Sequence, residues 1–241
     1  MMPTFIVKLI GRKEVAENTM AFTFEKPEGF TFKAGQCGDF TLNNPKETDA
    51  EGNTRAFSLT SPPYEKELTI TTRVRDTAFK RVLKALPIGS TLQLVGPSGS
   101  FTLHNNKSIP AVYVTGGIGI TPVRSIVMQA TQDQLPHQIF LFYSNHKPED
   151  AAFLDELKSL ESKNSNYHFI PTMTRMAESS KEWTGERGYI DKKMLQKYIN
   201  DLSKPIYYIS GPEAMVTAMH SMLNDAGVDD DNIRSEEFPG Y

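Results

Sequence analysis

Residues 115–122 read TGGIGITP, directly after the apolar run AVYV at 111–114. An apolar strand that runs into glycines and then Thr-Pro has the form of a strand–loop–helix joint. Glycine lets the backbone approach a ligand with no Cβ in the way. The helix that follows offers free N–H groups and the positive end of its dipole to a phosphate. Pro122 suits the first helical position, where its missing N–H is not needed. Thr115, Gly116, Gly117, Gly119, Thr121 and Pro122 are therefore the candidate dinucleotide contacts. A G-x-G alone is a weak signal, because any strand-to-helix turn can contain glycine; standing first in a βαβ series strengthens it. Two departures from the usual fingerprint stand out. Pro122 occupies the third glycine's place, and the second strand, QIFLFYS, ends in SNHKPED, with no immediate acidic residue for a ribose 2′-hydroxyl. Ser144, Asn145, His146 and Lys147 suit a 2′-phosphate better, which leans towards NADP over NAD.

Outward from this loop, the chain reads in two rhythms. From Ile109 onward, AVYVT, QIFLFYS, YHFIPTM and IYYIS have continuous apolar cores, as parallel strands covered on both faces should. Helical stretches PVRSIVMQAT, PEDAAFLDELKSLES, DKKMLQKYIN and PEAMVTAMHSMLNDAG alternate with them, and NIRSEEF closes as a fifth strand. That pattern predicts an α/β domain with a doubly wound, five-stranded parallel sheet. Upstream, TFIVKLI, MAFTFE, QCGDFTL, RAFSLTS, ELTITTRV and TLQLV alternate in short runs, which predicts an antiparallel β-barrel. One helix interrupts them: DTAFKRVLKAL, with Ala78, Phe79, Val82, Leu83 and Leu86 on one face, stopped by Pro87 and Gly89. The loop NNPKETDAEGNT before Arg55 is polar and expected to be mobile. The stretch HNNKSIP divides the chain into domains 1–106 and 107–241.

Composition narrows the function. A net charge of −3 over 241 residues gives no reason to expect nucleic acid. The single cysteine, Cys37, excludes an internal disulfide and any centre that needs several thiolates, so no metal is expected. No apolar stretch approaches the roughly 20 residues that span a bilayer, and the N-terminus alternates like a strand rather than a signal peptide. The expectation is a soluble, cytoplasmic, monomeric protein with no integral membrane segment.

The stretch RAFSLTSPP (55–63) resembles the flavin motif Arg-x-Tyr/Phe-Ser-(x)-x-Ser of the ferredoxin–NADP reductase superfamily. Further stretches resemble the family's motifs in its own order: FKAGQ (32–36), GPSGSF (96–101), GGIGITP (116–122), SNHKPED (144–150), WTGERGYI (183–190), SGPEAM (210–215) and the terminal SEEF (235–238). Each is weak by itself, but together they cover nearly the whole chain. The resemblance implies a Greek-key FAD-binding barrel followed by an NAD(P)-binding domain.

It also implies roles. Arg55 would neutralise the flavin pyrophosphate, Phe57 flank the isoalloxazine, and Ser58 hydrogen-bond near its reactive nitrogen, with Ala56 between them; in a strand Arg55 and Phe57 share one face and Ser58 the other. Packing into the core is the other reading of Phe57. Backbone from Thr72, Arg73 and Val74 would contact the ring. Phe79, Lys80 and Arg81 would begin the phosphate-binding helix, with Lys80 where the family usually has a hydroxyl; the alternative is a solvated basic face. Gly211 and Pro212 would lie on the nicotinamide side, with Ser210 where the family has cysteine. Glu236 would stabilise or relay charge near the flavin, unless it is only a surface carboxylate. Tyr241 would stack on the flavin as a C-terminal aromatic. Thr174-Arg175 would bind the 2′-phosphate.

The implied activity is an FAD-dependent NAD(P)H oxidoreductase. It would take hydride from NADPH (or NADH) and pass electrons to a separate acceptor such as a ferredoxin, flavodoxin or oxygenase component. Two alternatives stay open: a free-flavin or ferric reductase with a small diffusible acceptor, and a non-catalytic electron-transfer or redox-sensing subunit.

Overall fold

A computed structural model describes residues 2–238. The chain forms two compact units. One holds the residues up to Thr102 together with Thr121–Gln129; the other holds Leu103–Ile120 together with the residues from Ala130 on.

In the first unit the strands are β1 (Thr4–Ala16), β2 (Thr19–Glu25), β3 (Cys37–Leu42), β4 (Thr54–Ser58), β5 (Glu67–Arg73) and β6 (Thr91–Ser98), with helix α1 (Ala78–Ala85) between the last two. They form an antiparallel sheet in the order β4-β3-β6-β1-β2-β5. A bridge between Leu59 and Ile70 joins the chain just after β4 to β5, curling the sheet towards closure. The non-consecutive neighbours make this the expected Greek-key barrel. Alternation in the sequence becomes a core because every second side chain points inward: Phe22, Phe24, Phe40, Leu42, Leu92 and Leu94 are buried with Leu68 and Ile70. Helix α1 adds Phe79 and Leu83 to that core from the face read in the sequence, with Val82 and Leu86 partly buried beside them. The Thr121–Gln129 segment satisfies the backbone of the turn that leaves β4. Arg124, 8% exposed, donates from Nη1 to the Thr60 carbonyl at 2.8 Å, and Ser125 Oγ donates to the Ser61 carbonyl at 2.9 Å.

The second unit holds β7 (Ala111–Gly116), β8 (Ile139–Asn145), β9 (Tyr167–Met173), β10 (Glu186–Arg187), β11 (Ile206–Gly211) and β12 (Ile233–Glu237). All are parallel, in the order β10-β9-β8-β7-β11-β12. Every residue of β7 and β11 is buried, as continuous apolar runs require. The sheet has one strand more than the five expected. β10 is two residues long, too short to carry any periodicity, and pairs only with Thr172 and Met173. From β7 the chain steps outward through β8 and β9 to β10, then returns to β11 on β7's other side. The order therefore reverses between β7 and β11, where such sheets take their ligands.

The helices are α2 (Ile120–Gln132), α3 (Leu154–Ser159), α4 (Lys192–Tyr198) and α5 (Glu213–Asp225). Two differ from expectation. A 3-10 turn over Gly117–Gly119 runs straight into α2, so Pro122 is its third residue rather than its first. The position is still harmless, since the first four helical N–H groups have no intrahelical acceptor. The long helix read over 148–162 is broken. Pro148–Asp150 forms a 3-10 turn, Ala151 and Ala152 are buried, and Phe153 takes a left-handed φ of 61° before α3 begins.

At the other end of this sheet, the segment entering β7 is tied to β11 by a buried polar cluster. Tyr208 Oη accepts from the His104 backbone N–H at 2.9 Å and from Arg234 Nη1 at 3.0 Å, and lies 3.1 Å from His104 Nδ1. His104 Nε2 faces the Ile109 carbonyl at 2.9 Å, which can only accept. His104 is thus the Nε2–H tautomer, with Nδ1 accepting the tyrosine proton. His137 Nε2 donates to the His104 carbonyl at 3.0 Å. Burial lowers both histidine pKa values.

Candidate nucleotide sites

In the first unit, β4 carries Arg55, Ala56, Phe57 and Ser58. Arg55 and Phe57 do share a face, and both meet α1. The Arg55 guanidinium lies over the Phe79 ring, 5.3 Å from its centroid, and the Phe57 and Phe79 rings are 5.8 Å apart. Phe57 and Ser58 are buried, whereas Ala56 is exposed. Thr72 is buried at the end of β5, Arg73 and Val74 are partly exposed, and the Val74 N–H donates to the Asn18 carbonyl at 2.7 Å. Lys80 is partly buried on α1.

Arg55 and Arg81 already hold anions, most of them supplied by the loop between β3 and β4. Arg55 Nη2 is 2.9 Å from both Asp49 Oδ1 and Glu51 Oε2. Its Nη1 donates to the carbonyls of Glu51, Gly52 and Thr54. Arg81 grips Glu47 in a fork, Nε–Oε1 3.0 Å and Nη2–Oε2 2.6 Å, and reaches Asp76 at 2.6 Å through Nη1. Asp49 Oδ2 accepts the first helical N–H of α1, that of Ala78, at 3.2 Å. Glu47's pKa is lowered by its hydrogen bonds from Arg81. Desolvation raises Asp49's, but bonds from Arg55, Glu51 N–H and Ala78 N–H outweigh it and leave the pKa below its ordinary value. The sequence reading took residues 43–54 only as polar; three carboxylates within 47–51, so close to Arg55, were the signal available.

In the second unit the glycine loop sits at the strand-order reversal. Only Gly117 has a left-handed φ, 52°, with nothing within 4 Å of where a Cβ would be. The other two glycines serve packing. A Cβ on Gly116 would collide with the Met215 side chain, and one on Gly119 with the Ser210 carbonyl, with Gly211 N at 2.7 Å. Ser210, fully buried, donates from Oγ to the Gly119 carbonyl at 2.8 Å. Its hydroxyl therefore holds the glycine loop against β11. Thr115 is buried and donates to the Phe142 carbonyl at 3.3 Å. Thr121 is buried in the first turn of α2, beside Pro122. Gly211 and Pro212 follow directly, and Pro212 precedes the first turn of α5.

β8 and β9 bring together the residues read for a 2′-phosphate. Ser144, next to the last residue of β8, is in register with Thr172, His146 Nδ1 lies 3.0 Å from Thr174 Oγ1, and Arg175 N–H donates to the His146 carbonyl at 2.7 Å. The Arg175 side chain is exposed, with Glu178 at 4.0 Å. Asn145 was read with Ser144, His146 and Lys147 as suited to a 2′-phosphate. It is 6% exposed, and neither atom of its side-chain amide has a hydrogen-bond partner, an orphan that nothing in the sequence marks.

Glu236 is in register with Ser210. One of its oxygens, Oε2, is shut away from water without a partner, and burial raises its pKa from 4.5 to about 7. Between those values the folded chain holds a proton that the unfolded chain has released, so stability declines as pH rises through that window. Glu236→Gln should abolish this slope and be the more stable protein at pH 8, by on the order of 2 kcal/mol. Urea midpoints of both proteins from pH 4 to 8 test it, and a pH-independent difference would count against it. The lowered histidines act with opposite sign, removing stability as pH falls below their ordinary value of 6.5, and cancel in the comparison. Of the remaining sequence candidates, Tyr241 lies outside the described residues. No group of three or more His, Cys, Asp or Glu that could hold a metal ion occurs among the described residues.

Residues 113–221 match the family described as oxidoreductase NAD-binding domain. The ferredoxin–NADP reductase B of Sorangium cellulosum is 26% identical over 246 residues, covering 97% of each chain. The glycine betaine monooxygenase reductase subunit of Chromohalobacter salexigens is 27% identical over 91% of this chain, which spans only 60% of that relative's length. Among solved structures, a Neisseria gonorrhoeae ferredoxin NADP+ reductase with bound FAD and NADP superposes with a TM-score of 0.80 at 22% identity, over 97% of this chain and 98% of that one. The chain is thus similar to ferredoxin–NADP reductase-like FAD/NAD-binding oxidoreductases in sequence and fold.

Proposed function

We propose that this chain is an FAD-dependent oxidoreductase that takes a hydride from NADPH, or NADH, and passes the electrons to a separate acceptor protein such as a ferredoxin or an oxygenase component. The observation that carries the reading is the donor set of the first unit. Arg55, Arg81 and the Ala78 N–H all hold carboxylate oxygens, beside the aromatic pair Phe57–Phe79. Carboxylate and phosphate present similar oxygens to a guanidinium, so these residues fit the pyrophosphate of FAD. The relatives' names point the same way, one being a ferredoxin–NADP reductase and another a monooxygenase reductase subunit.

In this reading residues 1–106 bind the flavin and 107–241 the nicotinamide nucleotide. FAD, when bound, supplies the redox chemistry, accepting two electrons with the hydride and releasing them to the acceptor. The chain's residues hold and orient. Arg55 and Arg81 neutralise the pyrophosphate, Phe57 and Phe79 form the apolar wall, and Ser58 offers a hydroxyl. Gly117 leaves the loop open to the nicotinamide nucleotide. The orphan amide of Asn145 supplies unused donors and acceptors beside it. Arg175, with its side chain exposed, favours NADPH. Glu236, with a pKa near 7, can hold or release a proton at neutral pH. No helix among the described residues is long and apolar enough to cross a membrane.

Stopped-flow mixing of the FAD-loaded protein with NADPH and with NADH tests the reading. Bleaching of the flavin absorption is expected with both, faster with NADPH; no bleaching with either sinks it. Acceptor assays with a ferredoxin and with free FMN then separate a protein-directed reductase from a free-flavin reductase.

A further inference from the structure

The loop between β3 and β4 does more than connect two strands. It carries Glu47, Asp49 and Glu51, and each of these carboxylates holds a group suited to flavin phosphate. Asp49 bridges Arg55 and the Ala78 N–H, Glu51 takes the second place on Arg55 Nη2, and Glu47 fills the fork of Arg81. The loop is closed at its base by paired bonds, Leu42 N–H to Asn53 O and Asn53 Nδ2 to Leu42 O, both 2.9 Å. Its tip can therefore leave the arginines without breaking the β3–β4 ladder. Within the tip, the Asp49 carboxylate accepts the Glu51 N–H and the Asp49 carbonyl accepts the Gly52 N–H, which ties Asp49 to the turn that carries Glu51.

We infer that Glu47, Asp49 and Glu51 are an internal stand-in for flavin phosphate and set which flavin this chain holds and how tightly. The inference rests on the flavin reading above. A phosphorylated flavin must take Arg55, Arg81 and the α1 N-terminus from three carboxylates, and it then lies near negative charge that remains tethered a few residues away. Like charges so placed oppose one another. The penalty falls on the phosphates alone, because none of the three carboxylates meets the Phe57–Phe79 pair in any contact described. The loop thus weakens FAD and FMN and leaves a flavin without phosphate untouched, which makes the cofactor exchangeable.

The test is a fluorescence titration of the full chain, stripped of flavin, with FAD, FMN and riboflavin. Wild type is compared with Glu47→Gln/Asp49→Asn and with Glu47→Gln/Glu51→Gln; the second pair keeps the Asp49 bond to α1 should the first fail to fold. Each variant is expected to tighten FAD and FMN about ten-fold, two exposed ion pairs' worth, with riboflavin unchanged. FAD affinity that is equal or weaker in the folded variants overturns the inference alone. Tightening of riboflavin to the same degree also overturns it, since the effect would not act through phosphate. Failure of wild type and variants alike to bind any flavin overturns the flavin reading and the inference with it.

Discussion

Gly119→Ala should raise the KM for NADPH by 100-fold or more and destabilise the chain by about 3 kcal/mol. The added methyl would meet the Ser210 carbonyl and Gly211 N. These are backbone atoms of a central strand and cannot rotate aside. β11 is held between β7 and β12, with Ser210 in register with both Thr115 and Glu236. The glycine loop is then the part that must move, which breaks the Ser210 Oγ bond to the Gly119 carbonyl. Gly117→Ala is the matched control for stability. It meets no neighbour and costs only what a left-handed φ of 52° costs an alanine, about 1 kcal/mol. Urea unfolding and steady-state kinetics on both variants decide the matter. Equal behaviour of the two would show that the tight approach to β11 does not govern the loop.

Arg55→Ala should weaken FAD binding by about 100-fold, the loss of a charge-assisted, bidentate contact to phosphate. It also removes the cation from the Phe79 ring and leaves Asp49 and Glu51 without their counter-charge. Both consequences act against an anionic ligand. Arg55→Lys should recover little, because an ammonium cannot reproduce the planar fork or lie flat on the ring. Equilibrium dialysis against FAD measures the effect; retention of wild-type affinity by the alanine variant would remove Arg55 from the flavin site.

Much of this was legible in the chain because the relevant signals are local. The alternation of MAFTFE and TLQLV, the continuous runs AVYV and IYYIS, and the face of α1 each depend only on which side chains point the same way. The glycine loop was found for a similar reason, since a strand-to-helix turn carries its unusual residues consecutively, whereas RAFS was found by its resemblance to the family's flavin motif. Other features depend on approach between distant segments. Gly116 and Gly119 read as ligand-facing, but their missing Cβ atoms make room for Met215 and for the Ser210 carbonyl. Ser210 read as a polar neighbour of the nicotinamide, yet its hydroxyl is bonded to the glycine loop. The helix at 148–162 broke where Ala151 and Ala152 turn inward.

The sequence by itself determined the order of all strands but β10, the plan of an antiparallel barrel followed by a parallel α/β sheet, and the place of the glycine loop between β7 and α2. These follow from periodicity and from backbone restrictions that act within a few residues. Tertiary structure alone decided that β10 joins the sheet, that Glu47 and Asp49 fall on Arg81, Arg55 and the start of α1, and that one Glu236 oxygen is enclosed beside Ser210. Each depends on which segments meet across tens of residues, and charge, burial and pKa are properties of that meeting.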